Sequence, residues 1–155
     1  MITLTVAELA ACCAAPAWAG AVAAGGPYLD LAGLIAAAER LWWDQPPDEW
    51  RAALAAHPRI GERVDQSSRE AREQGRVSEA SAAELDDLAA LNRAYESQFG
   101  MTYVVRATGR TAGEMLDLLR ARLGNDPDVE LRVAAEQQWE ITVLRLQTVV
   151  EVEAR

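Results

Sequence analysis

The chain has 155 residues, half of them hydrophobic and a quarter charged, with a net charge of -9. That length suits one globular domain with a substantial core, and the acidic balance disfavours a phosphate backbone, so no nucleic-acid partner is expected. All fifteen basic residues are arginine, and without an ε-amino group a pyridoxal Schiff base, a lysine nucleophile and a Walker phosphate loop are excluded.

Nearly every segment reads as helix. Thr5 with Glu8 makes a capping box and predicts a first helix to about Ala14. Cys12 and Cys13, adjacent within an alanine-rich stretch, suit helix packing better than a disulfide framework or a metal site, and no metal is expected. Pro16 restarts the chain into Ala17 to Ala24, and Gly25-Gly26-Pro27 stops it. The apolar run from Val6 to Ala24 is broken by Glu8 and Pro16 and has no basic residue ahead of it, unlike a secretory signal. No window is long enough for a membrane span, so no membrane partner and a cytoplasmic location are expected. Asp30 can cap a helix carrying Leu31, Leu34, Ile35, Leu41 and Trp42, which Pro46-Pro47 breaks. A short helix from about Asp48 to Ala56 then leads to His57, the only histidine. Pro58 biases His57 away from helical angles, which puts the chain's one neutral-range imidazole on a loop.

A polar start at Asp65-Gln66-Ser67-Ser68 introduces a short helix over Arg69–Gly75. Ser81 with Glu84 opens a longer helix with Leu85, Leu88, Leu91, Tyr95 and Phe99 on one stripe, closed by Gly100. Residues 101–108 favour extended backbone, with no second strand to pair with, so their free N–H and C=O groups must meet side chains or a ligand. Thr111 with Glu114 starts a helix through Met115, Leu118, Leu119 and Leu123, and Gly124 stops it. Asp126-Pro127 opens the last helix, with Val133, Ile141, Leu144 and Val152 among its apolar positions. The expected fold is all-α: one compact multi-helix bundle, 1–155, with a short extended segment near residues 101–108. Trp42, Trp43, Trp50 and Trp139 are expected in the core or at a subunit contact.

Three stretches stand out in order: His57-Pro58-Arg59-Ile60-Gly61, then Glu73-Gln74, then Phe99-Gly100 leading to Tyr103-Val104 and Gly109-Arg110. Together they closely resemble the patterns HPxIG, SxxEQ and FGxxFVxxAxGR of the 2-oxo-4-hydroxy-4-carboxy-5-ureidoimidazoline (OHCU) decarboxylase family of urate degradation. The resemblance extends through Ala38-Glu39-Arg40-Leu41-Trp42-Trp43 and Arg122-Leu123-Gly124-Asn125 with Glu136, and so covers nearly the whole chain. It implies a cofactor-free helical enzyme that releases CO2 from a small ureidoimidazoline and yields (S)-allantoin. It also implies a homodimer. Carried over by position, His57 becomes the proton donor and Glu73 its partner carboxylate, with Pro58 against the substrate. Glu70, Ala71, Arg72, Glu73 and Gln74 would contribute binding contacts, Gln74 through the ring. Tyr103, Val104, Val105, Arg106 and Ala107 would touch it through their backbone. Two positions depart from the family pattern: Glu70 stands where a serine is usual, and Tyr103 where phenylalanine is usual.

The chemistry is coherent on the residues alone. Decarboxylation leaves an electron pair on carbon, usually held by a cofactor or a lysine imine. With neither lysine nor a cofactor motif, the substrate itself must carry the electron sink, and a ring carbon flanked by C=N and C=O does so. The protein must then orient the carboxylate, stabilise charge and deliver a proton to one face. A carboxylate beside an imidazole favours the imidazolium, a proton donor at neutral pH. Other readings of the same residues are a helical binding module that retains the pocket, or a related purine-ring hydrolase or isomerase. An unstable substrate also makes association with a urate-pathway enzyme an expectation. Arg59, Arg106 and Arg110 are expected mainly in ordinary ion pairs.

Overall fold

The computed structural model describes residues 1–61 and 73–154. Their regular structure is helical: α1 (Val6–Cys12), α2 (Pro16–Gly25), α3 (Leu31–Trp43), α4 (Pro47–Ala55), a single 3-10 turn (Val77–Glu79), α5 (Ala82–Phe99), α6 (Ala112–Arg122) and α7 (Pro127–Glu153). The all-α fold class is therefore the observed one. Among the described residues there is no strand, only an isolated antiparallel bridge between Ile2 and Tyr28. No helix among them is long and apolar enough to cross a membrane.

The helix starts follow local chemistry. At Thr5 and at Ser81 both halves of the capping box form, the hydroxyl accepting the third residue's N–H and that residue's carboxylate accepting the cap's N–H. Asp30 accepts from Gly33 N at 2.8 Å. At Thr111 only the hydroxyl half forms, accepting from Glu114 N at 3.1 Å. Proline occupies the first turn of α2 and α4, where its missing N–H costs nothing, so α4 begins at Pro47 rather than Asp48. The first helix ends at Cys12, short of Ala14, because Cys13 turns extended at φ -155°.

Two compact units are present, Met1–Ala56 with Gln138 onward, and His57–Gln137. The first is built on α1 to α4 and the latter part of α7. Trp18, Trp42, Leu34 and Leu54 are fully buried there. Indole N–H groups in such a core need acceptors: Trp18 Nε1 donates to the Ala38 carbonyl at 2.9 Å, and Trp50 Nε1 to the Trp42 carbonyl at 3.0 Å. The rings of Trp42, Trp43 and Trp50 pack together with centroids 5.6 to 6.3 Å apart. Cys12 and Cys13 are buried free thiols. On α7, Ile141 is buried, whereas Leu144 and Val152 are exposed, and the buried stripe instead includes Gln138 and Thr142. These two polar groups satisfy one another, Gln138 Nε2 donating to Thr142 Oγ1 at 3.0 Å.

The second unit holds every described residue singled out by the motifs. Tyr95, Tyr103, Val105, Met115 and Leu119 form its main core, with Leu88, Ala112 and Leu116 in a second cluster, and Ile60 packs against both. Gly100 closes α5 in the left-handed region at φ 69°, as its position in the sequence predicts.

Candidate functional site

The loop carrying His57 leaves α4 at Ala56 and is held by its main chain. A loop has no ladder to satisfy its backbone, so side chains must do it. Gln74, buried at 8% exposure, supplies two of the bonds. Its Oε1 accepts from Gly61 N at 3.0 Å and its Nε2 donates to the Arg59 carbonyl at 3.3 Å. Asn92 of α5 supplies a third, donating from Nδ2 to the Ile60 carbonyl at 3.2 Å. Three successive loop residues are thus fixed by two carboxamides. The Arg59 guanidinium turns to Glu96 at 2.6 and 3.1 Å, the ordinary ion pair expected of it.

The next two residues tie this loop to the third motif. Gly75 takes φ 67° and lies so close to the Ala107 carbonyl that a Cβ would overlap it. Arg76 N donates to the Arg110 carbonyl at 3.0 Å. The Glu73-Gln74 turn is therefore bonded on one side to Arg59 and Gly61 and packed on the other against Ala107 and Arg110. His57, Pro58 and Glu73 are each half-buried.

Residues 103–107 bury their apolar side chains and are pinned through alternate backbone groups. Arg122 Nη1 donates to the Val104 carbonyl at 2.7 Å, Arg106 N donates to Gln137 Oε1 at 2.9 Å, and Arg110 Nε donates to the Arg106 carbonyl at 2.7 Å. Among the described residues no hydrogen bond takes up the N–H or carbonyl of Val105. Behind the segment lies a buried charged cluster. Arg122 Nη2 meets Glu130 Oε2 at 2.6 Å, Tyr95 Oη donates to the same carboxylate, and Asn125 Nδ2 donates to Oε1 at 3.1 Å. The guanidinium lies 4.8 Å from the Tyr103 ring centroid. Burial pushes the Tyr103 phenol up to about 12, against the opposing pull of Arg122, and burial likewise raises Tyr95. Burial disfavours the Arg122 charge, but the hydrogen bonds and charge of Glu130 outweigh it and raise its pKa. Both phenols thus remain donors and the guanidinium keeps its charge.

A separate cavity of about 350 Å³ is lined by Arg59, Ile60, Gly61, Leu85, Ala89, Asn92 and Arg93. Among the described residues it offers cations and apolar surface, and neither His57 nor Glu73 lines it. Among the described residues no three His, Cys, Asp or Glu side chains converge as metal ligands would.

The family model for OHCU decarboxylase matches residues 3–147. The chain belongs to the OHCU decarboxylase family. It is 34% identical over 147 residues to the uric acid degradation bifunctional protein TTL of Arabidopsis thaliana, covering 90% of this chain and 45% of that protein. It is 30% identical over 142 residues to the 2-oxo-4-hydroxy-4-carboxy-5-ureidoimidazoline decarboxylase of Amia calva, covering 88% and 81%. The chain thus spans under half of the plant relative and most of the fish one. Among solved structures, an OHCU decarboxylase crystallised in the presence of (S)-allantoin superposes with a TM-score of 0.79 at 35% identity, covering 92% of this chain and 96% of that one. An (S)-allantoin synthase structure at 24% identity, TM-score 0.70, covering 92% and 48%, shares the fold.

The two family departures fare differently. Tyr103, fully buried, donates its hydroxyl to the Met115 carbonyl at 3.1 Å, so the extra oxygen is used in the core. Glu70, with Ala71 and Arg72 and the serines Ser67 and Ser68 that precede them, lies outside the described residues. Gln74, expected to hydrogen-bond a ring, is engaged with the His57 loop; a carboxamide keeps one further N–H and one lone pair for a ligand. Asn92, Arg122, Glu130 and Gln137 escaped sequence reasoning as parts of the site. Arg122 and Glu130 are separated by the break at Gly124–Pro127, so no helical period relates them.

Proposed function

We propose that this OHCU decarboxylase family member converts 2-oxo-4-hydroxy-4-carboxy-5-ureidoimidazoline to (S)-allantoin without a cofactor, as one 1–155 domain. The observation that supports this best is the Gln74-Gly75 turn, bonded to the His57 loop and packed on Ala107, which draws the three family motifs into one unit. The C–C bond to the carboxylate breaks heterolytically, CO2 leaves, and the electron pair passes into the adjoining C=N, leaving the hydroxyl-bearing carbon as an enol. The His57 imidazolium gives its proton to the neighbouring ureido-bearing carbon while the enol hydroxyl loses its own and becomes the ring carbonyl, and Glu73 favours the charged ring. Delivery to one face accounts for a single enantiomer. Pro58, the residues Glu70 to Gln74 and the backbone of Tyr103 to Ala107 hold the ureidoimidazoline.

The reading extends to a cytoplasmic homodimer. Association with another urate-pathway enzyme is also part of it, supported by the bifunctional relatives from Arabidopsis thaliana and from Bacillus. The test feeds freshly generated ureidoimidazoline and follows circular dichroism. Rapid growth of the (S)-allantoin signal is expected, with His57→Ala slower by roughly 100- to 10,000-fold. A wild-type rate no faster than the spontaneous one would reject the activity, and an unchanged His57→Ala rate would reject the proton donor.

A further inference from the structure

A buried ion pair is an expensive way to fill a core, since apolar residues of the same volume are often equally stable. Arg122 and Glu130, at 6% and 0% exposure, are such a pair. Apart from Glu130, Tyr95 and the ring it overlies, Arg122 has one directed contact, the bond to the Val104 carbonyl. That bond has a geometric consequence. A trans peptide is planar, and the N–H lies opposite the carbonyl it follows. Holding the Val104 carbonyl toward Arg122 therefore directs the Val105 N–H away from it. The next peptide is fixed in the same manner from its other end. Gln137 Oε1 takes the Arg106 N–H, so the Val105 carbonyl points away from Gln137. In extended backbone the N–H and C=O of one residue leave by the same edge. Val105 is thus left with a donor and an acceptor side by side, neither with a partner among the described residues.

We infer that Arg122, Glu130 and Gln137 are positioning residues, which fix the two peptide planes flanking Val105 so that its N–H and carbonyl read a cyclic amide or ureide edge of the ligand. Such an edge presents C=O and N–H at matching spacing. The inference rests on the decarboxylase reading for the identity of the ligand. It excludes direct chemistry by Arg122, whose N–H groups are taken up inside the core.

Arg122→Ala would strand a buried carboxylate and is a poor probe. Two milder replacements serve: Gln137→Leu, and the apolar exchange Arg122→Met with Glu130→Leu. Backbone contacts made equally to substrate and transition state act on KM rather than kcat. Each replacement is expected to raise KM about tenfold, the worth of one well-formed hydrogen bond, with kcat within about threefold. Gln137→Glu, which keeps an acceptor oxygen, should restore KM. In parallel, the wild-type chain labelled with 15N is titrated with (S)-allantoin. The Val105 amide resonance should shift, and the apparent affinity should fall about tenfold in both variants. Folded variants with wild-type KM, or a titration that leaves the Val105 amide unmoved, would overturn the inference. Absence of wild-type turnover would instead overturn the activity reading, while the (S)-allantoin titration still decides on Val105.

Discussion

Replacing Gly75 by alanine should disable the site through the backbone, without removing a functional group. Its φ of 67° costs an L residue about 1–2 kcal/mol. Gly100, at φ 69° with open space where its Cβ would be, incurs that cost alone. At Gly75 the new methyl would also overlap the Ala107 carbonyl oxygen and lie 2.9 Å from that of Arg110. Backbone cannot swing aside as a side chain does, so the turn must shift away from residues 107–110. Overpacking of this kind costs about 1–3 kcal/mol, and the strained bond from Arg76 N to Arg110 accounts for about 1 kcal/mol more. Gly75→Ala is therefore expected to lose about 3–6 kcal/mol and Gly100→Ala about 1–2 kcal/mol. In urea, with a slope of about 2 kcal/mol per molar, the midpoints should fall by roughly 2 M and by under 1 M. Assayed where both remain folded, Gly75→Ala should lose about tenfold or more in kcat/KM, since small displacements of reacting groups are costly. Gly100→Ala should keep its rate. Equal midpoints for the two variants, or an unimpaired Gly75→Ala enzyme, would refute the close approach.

Gln74→Leu removes both carboxamide bonds to the His57 loop and should lower kcat by about tenfold or more while far-ultraviolet circular dichroism stays unchanged; a wild-type kcat would show that the loop holds itself. Ser81→Ala deletes the α5 cap and should lower stability by about 1 kcal/mol, read as a shifted urea midpoint. Arg59→Ala breaks a half-exposed pair with Glu96 and should change stability by no more than about 1 kcal/mol. Burial pushes the Cys13 thiol from its usual 9 up to about 12 and the Tyr103 phenol from 10 to about 12. The folded chain then keeps protons that the unfolded chain has released, so stability should be full below pH 9 and decline as pH rises toward 12. Denaturation midpoints measured across that window test this, and iodoacetamide should modify Cys13 slowly until the chain unfolds.

What could be read from the sequence divides along the range of the interactions. Thr5 with Glu8 and Ser81 with Glu84 announce helix starts because both partners of each box lie within one turn, and Gly100 announces a stop because its backbone angle is a property of the residue itself. Pro58 and Gly75 were equally legible, one ending a helix and the other permitting a turn. Partners chosen by packing were not. Nothing local to Asn92 indicates that it will hold the Ile60 carbonyl, and nothing near Arg122 points to Glu130 across a helix break. The sequence does not say which way the Tyr103 ring turns; in the fold its hydroxyl meets the Met115 carbonyl.

The same division explains which positions of the histidine motif carry the most constraint. The loop is held through main-chain atoms of Arg59, Ile60 and Gly61, and the carboxamides that hold it are indifferent to most side chains there. Ile60, packed on two core clusters, and Gly61, at φ 87°, are bound to their residue types by the structure around them. The hold on Arg59 is through its carbonyl, while its guanidinium turns outward to pair with Glu96.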